Sequence, residues 1–334
     1  MKRTLFLLLS LAAPFGFAQP SVPVIKFDSV PNFLKLPKDL YLGEVTGVAV
    51  NSKGHVFVFS RGNTSGPAYA AAAAQLLEFD QNGKFIREIG KHLYAWSFGH
   101  AVRVDKQDHI WVTDKGSDMV VKFDPQGRVE MVFGRKQEAS DEETGPLKHP
   151  KPPLPAEDGR FRQVTDVTWD PAGNTYISDG YINSRVAKVD KNGNWLKSWG
   201  DRGNKPGEFN TPHSIAADAK GNIYVADRGN RRIQVFDNEG VFQRQIENVG
   251  APQTICISPG AHQYLYASNS NEPNSMEGGE IYRLELDGTA LGHFGAAGKL
   301  SKEFGTVNAI DCRNPNELIV GEITNWRVQR IRLR

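Results

Sequence analysis

Short apolar strings recur along the chain, with β-branched and aromatic residues alternating with polar ones and N-G, D-G or K-G turns between them. Alternation at period two, closed by such turns, predicts antiparallel strands joined as hairpins. The strings are organised into repeats. Residues 164–200 read VTDVTWDPAGNTYISDGYINSRVAKVDKNGNWLKSWG, and residues 212–247 read PHSIAADAKGNIYVADRGNRRIQVFDNEGVFQRQIE. Each holds an apolar strand, a D-x-x-G-N turn, an IYVAD-type strand, an N-x-R turn, a third strand ending in Asp and a fourth strand. Residues 99–134, 45–90 and, more loosely, 252–295 repeat the plan, and residues 307–334 stop after the third strand, WRVQRIRLR. Four-stranded units of about 40 residues repeated radially describe propeller blades. An all-β, six-bladed β-propeller follows as one domain over residues 19–334. The sixth blade lacks its outer strand and would keep a bare edge. Residues 22–36, which contain VPVIKF and NFLKL, are expected to supply it and close the ring.

The N-terminus departs from this pattern. Lys2 and Arg3 precede an apolar run from Leu5 to Ala13, and Gly16-Phe17-Ala18 offers the small residues of a signal-peptidase site. The run is too short to span a bilayer, so residues 1–18 read as a signal peptide. A secreted or periplasmic, monomeric protein is expected. Removal of Lys2 and Arg3 leaves 38 basic against 38 acidic residues. That balance argues against a nucleic-acid or membrane surface and for small or peptide-like ligands, or none; the ligand expected at the channel mouth is peptide-like or a small carboxylate. The two cysteines, Cys256 and Cys312, align to inner strands of adjacent blades. On the expectation that those strands diverge beyond the roughly 7 Å of Cα separation a disulfide tolerates, they read as separate buried thiols.

The aspartate after the second strand, followed by N-x-R, resembles the NHL repeat family: Asp179/Asn183/Arg185 and Asp227/Asn230/Arg232 in full, Glu322/Asn325/Arg327 as a variant. These sets read as structural ties. Aligned at the start of the inner strand, the blades present Thr46, His100, Thr165, His213, Gln253 and Asn308, six side chains expected to ring the channel. The second-strand ends share that edge and carry Ser60-Arg61, Asp114-Lys115, Asp179-Gly180-Tyr181 and Asp227-Arg228. His100, His213, Arg61, Tyr181 and Arg228 should therefore converge on one mouth, beside the long insertions at residues 62–75, 135–163 and 296–306. Loops on one face of a rigid scaffold are a usual place for function. His55, His92, His109, His149, His262 and His293 fall in turns or loops and read as solvated and unpartnered.

At these residues the chain resembles the peptidyl-α-hydroxyglycine α-amidating lyases. The resemblance covers most of the mature chain and is closest at TGVAV-N-S-x-G through Arg61, GHAVRVD, DGYINSRV, and TPHSIAAD through VADRGNRRIQ. It implies cleavage of a hydroxylated C-terminal glycine into a peptide amide and glyoxylate. It also implies zinc on three channel histidines, of which His100 and His213 match two. Arg61 and Tyr181 match the family's catalytic arginine and tyrosine, and Arg228 matches a further arginine. Arg61 would pair with the substrate carboxylate through its planar fork, and Arg228 and Asn308 are assigned to ligand binding. The third zinc histidine falls at Asn308, a poor zinc ligand, and a family calcium ligand falls at Ala309. Ile182 stands where a half-cystine is expected, and no copper hydroxylase domain is present. The alternatives are a non-catalytic ligand- or protein-binding propeller and a calcium-dependent lactonase-type propeller using Asn308 and Asp166. The ring lacks the several carboxylates that calcium prefers, so calcium is not expected.

Overall fold

The computed structural model describes residues 22–61, 74–136, 155–269 and 278–334. The expected signal peptide and most of the insertion residues after Arg61 and Lys136 lie outside them. Six four-stranded antiparallel sheets form the blades of a propeller. Blade 3 shows the plan: Val164–Trp169 is innermost, then Thr175–Asp179, Arg185–Val189 and Trp195–Trp199. Its first turn is set by sequence. Asp170 Oδ1 accepts the Asn174 N–H while Gly173 closes the turn at φ +89°, a conformation glycine adopts without steric cost.

The ring closes as expected. Phe27–Val30 pairs with Arg327–Leu333 in the register Phe27↔Leu333 to Val30↔Arg330 and completes blade 6. Apolar side chains gather in six clusters, each at a seam between neighbouring blades. The same strands thus bury both faces, which is why the second strands read as near-continuous apolar runs. The Asp–Arg sets tie blades 3 and 4 to the segments entering them. Arg185 pairs with Asp179 at 3.0 Å and donates to the Glu157 and Arg160 carbonyls. Arg232 repeats this with Asp227 and the carbonyls of Lys205 and Glu208.

Two features of the channel were not anticipated. Cys256 and Cys312 form a disulfide, with Cα atoms 6.0 Å apart, which corrects the expectation of separate thiols. Blades diverge outward from the axis, and their innermost strands remain side by side. A second irregularity between Asp311 and Asn314 of blade 6 also places Cys312. Farther along the axis, the Arg103 guanidinium binds both oxygens of Asp166, donates to Ser214 Oγ, and reaches the carbonyls of Ile255 and Ile310. One side chain of blade 2 thereby contacts the inner strands of blades 3, 4, 5 and 6. Asp166, the carboxylate on which the calcium alternative depends, is engaged by this arginine.

Candidate functional site at the channel mouth

The six aligned positions do ring the mouth, and all are buried. The pairing of each inner strand with its neighbour shifts there: between Val45 and Gly47, Gly99 and Ala101, Val164 and Asp166, Pro212 and Ser214, Pro252 and Ile255, and Val307 and Ala309. A bulge of this kind leaves a residue out of the ladder and re-aims its side chain. The alternation of the strand is broken at the one place where a side chain must turn into the channel.

His100 Nδ1 lies 2.7 Å from the Thr165 carbonyl, and His213 Nδ1 lies 2.7 Å from the Gln253 carbonyl. A carbonyl only accepts, so both Nδ1 atoms carry the proton and both Nε2 atoms present lone pairs. The two rings stand 4.6 Å apart, centroid to centroid. Burial holds both imidazoles well below the usual histidine range; for His100 the neighbouring His213, Lys115 and Arg61 add to this, and for His213 chiefly Arg228. Both are neutral at physiological pH.

Tyr181 is brought in by its neighbour. A Cβ on Gly180 would meet the Pro212 carbonyl oxygen at 2.5 Å and Thr165 Cγ2 at 2.6 Å, so only glycine lets this turn press onto the ring. Tyr181 then donates its hydroxyl to His213 Nε2 at 2.9 Å. Asn308 donates through Nδ2 to the Thr46 and His100 carbonyls and accepts from Gln253 Nε2. Arg61 is largely buried, its Nε on Glu44 at 2.7 Å, its Nη1 on the Gly99 carbonyl, and its plane 3.8 Å from the Phe98 centroid. Glu44, Phe98, Lys115 and Arg228 join Arg61, His100, Tyr181 and Asn308 around a cavity of about 260 Å³, to which His213 is linked through the Tyr181 hydroxyl. Of the five side chains expected to converge, Arg61, His100, Tyr181 and Arg228 line this cavity and His213 bonds to Tyr181.

Five lining residues were not singled out by sequence: Glu44, Phe98, Lys115, Thr306 and Ile323. Lys115 carried a readable signal, because it follows a second strand in blade 2 as Arg61 does in blade 1 and Arg228 in blade 4. Its Nζ lies 3.6 Å from the Tyr181 centroid and 5.2 Å from that of Phe98. Burial, then Arg61 and Arg228, push the amine down to about 7. The remaining histidines require a correction. His55 pairs with Glu78, His109 with Asp105 and His262 with Glu285, while His293 lies in the strand Ala290–Phe294 and bonds through its backbone to Pro23 and Ile25. Acidic partners in neighbouring turns and strands hold the first three, so they are not unpartnered; His149 lies outside the described residues.

The donor set falls short of a zinc centre. Among the described residues no group of three His, Cys, Asp or Glu is placed to hold a metal ion. His213 Nε2 already receives the Tyr181 hydroxyl and has Gln253 Nε2 at 3.3 Å.

The NHL repeat model matches residues 209–236. The chain is 28% identical over 251 residues to a peptidylglycine alpha-amidating monooxygenase of Rattus norvegicus, covering 68% of this chain and 24% of that protein. It is 30% identical over 213 residues to a probable peptidyl-alpha-hydroxyglycine alpha-amidating lyase of Caenorhabditis elegans, covering 58% and 56%. NHL repeat-containing protein 3 of Homo sapiens is 28% identical over 252 residues, covering 70% and 64%. The chain thus spans about a quarter of the length of the monooxygenase and somewhat over half of the other two. A streptogramin B lyase structure superposes with a TM-score of 0.57 at 15% identity, covering 93% of this chain and 98% of that one. At that identity the likeness is one of fold.

Proposed function

The chain is an NHL-repeat β-propeller resembling the peptidyl-α-hydroxyglycine α-amidating lyases, and from that premise we propose that it is an exported lyase of this type, acting on a peptide-like ligand that ends in a carboxylate. The observation that carries the reading is the Tyr181 hydroxyl on a neutral, lone-pair-bearing His213 Nε2 inside a mouth walled by Arg61, Lys115 and Arg228. The reaction removes a proton from the α-hydroxyl, breaks the bond from the α-carbon to nitrogen, and returns a proton to that nitrogen. Peptide amide and glyoxylate result, with no oxidant or reductant consumed. Tyr181 Oη is the proton-transfer atom, and the neutral His213 imidazole accepts its hydrogen. Arg61, fixed by Glu44 and the Gly99 carbonyl, faces the carboxylate end. His100 and His213 are the two imidazoles that a zinc ion would use. Export is supported by the N-terminal signal and by the Cys256–Cys312 bond, since disulfides persist in oxidising compartments. Among the described residues no helix is long and apolar enough to cross a membrane.

The test is glyoxylate release from a short peptide ending in α-hydroxyglycine, with and without added zinc. Wild type should exceed the spontaneous rate. Tyr181→Phe should bind and not turn over, because it loses a proton donor and acceptor and little else. Arg61→Lys should raise KM, since a point charge does not reproduce a planar fork. Absence of wild-type release under both conditions refutes the lyase. The second reading, a ligand-binding propeller without catalysis, is favoured by Asn308 at the third imidazole position and by the engagement of Arg61 with Glu44.

A further inference from the structure

We infer that Lys115 shares with Arg61 the recognition of the ligand's carboxylate, a role that neither the repeats nor the family resemblance assigns to it. The inference rests on reading the mouth as a carboxylate site and goes further by naming a second group that makes the contact. The cavity wall holds three cations, Arg61, Lys115 and Arg228, and one carboxylate, Glu44. That carboxylate is spent on Arg61 Nε at 2.7 Å, and the two histidines contribute no charge. Among the described residues no acidic group lies within ion-pairing distance of Lys115. Its Nζ rests on the faces of Tyr181 and Phe98, contacts that favour a cation and leave its hydrogens without a charged acceptor.

Position matters as much as charge. A carboxylate on Lys115 Nζ sits beside the Tyr181 ring, whose hydroxyl reaches His213, so the atom next to that carboxylate is presented to the Tyr181–His213 pair. The cavity of about 260 Å³ admits an acylglycine-like end and little more, so the rest of a peptide would stay outside. The amine's low pKa, about 7, follows first from burial and then from the charges of Arg61 and Arg228. An incoming carboxylate relieves it.

Hippurate (N-benzoylglycine) and its neutral amide, hippuramide, are suitable probes. Neither carries an α-hydroxyl, so neither can be turned over, and a protein with no lyase activity can still pass. Binding is measured by calorimetry on the full protein after chelator treatment, which removes any contribution from metal. Wild type should prefer hippurate over hippuramide by about tenfold or more, as a charge-assisted hydrogen bond implies. Lys115→Met keeps the apolar stem against Phe98 and Tyr181 and should lose most of the preference for hippurate, whereas Lys115→Arg should retain it. Lys115→Gln gives a second neutral variant should the methionine protein fail to melt cooperatively. A wild type without preference, or a neutral variant that keeps it, overturns the inference.

Discussion

His100, His213 and Asn308 sit on alternate blades, and each turns a side-chain nitrogen onto the ring carbonyl of the next blade: Thr165, Gln253 and Thr46 respectively. The asparagine amide copies the donor half of a histidine, but in place of a nitrogen lone pair it presents Oδ1, which is taken by Gln253 Nε2. This makes Asn308→His a specific prediction. The new imidazole should place Nδ1 on the Thr46 carbonyl and direct Nε2 toward the other two. Zinc retained after dialysis, measured by elemental analysis, should then rise above wild type. An unchanged zinc content would mean that Gln253 and Tyr181, rather than the missing ligand, close the site. The ring positions were legible because the repeats align one residue per blade. The bulges that aim them were not, because a bulge changes pairing without changing the apolar pattern. Lys115 was visible at the mouth yet unassigned, since its lack of an acidic neighbour is a three-dimensional fact.

The blade is the element, and its strength lies where the second strand turns. Arg185 and Asp179 are almost wholly buried, and the same arginine holds two carbonyls of the entering segment. Removing one partner of such a pair leaves an uncompensated charge, costing about 3–5 kcal/mol. Arg332 and Glu317 lie at comparable distance, but the arginine is exposed and the glutamate only half-buried, and such a solvated pair contributes about 1 kcal/mol or less. Arg185→Ala should therefore lower unfolding free energy in urea by several times as much as Arg332→Ala. Equal losses would show that burial does not set the value of these pairs. The Asp–Arg ties were readable because one residue type recurs at one spacing. The disulfide was misjudged because strand order gives no distances between neighbouring blades. It closes a loop of 56 residues, worth about 4 kcal/mol in the chain-entropy account.

At the scale of the whole molecule, every seam is a local apolar cluster, and two devices act across the ring: Arg103 along the axis and the first strand at the rim. The first strand places Phe27 5.1 Å from Phe294 and 6.2 Å from Phe304, and the segment that follows buries Phe33. Deleting residues 22–36 removes these contacts and the outer ladder of blade 6 together. Loss of a buried phenylalanine side chain alone costs about 3–5 kcal/mol, or roughly 2–4 °C of Tm per kcal/mol in a domain of this size. Calorimetry of the deletion variant should show a fall of roughly 6 °C or more. A melt matching the parent would mean that blade 6 is stable as three strands.

The pairing of Phe27–Val30 with Arg327–Leu333 also has a consequence in time. Synthesis delivers the first strand early and its partner after all the other strands. Until Arg327 and the residues beyond it emerge, both the early strand and the edge of Glu317–Glu322 that Arg327–Leu333 will cover are unpaired. A product stopped short of Arg327 would carry two open edges, one near each end of the chain, and strands left open in this way pair readily with other chains.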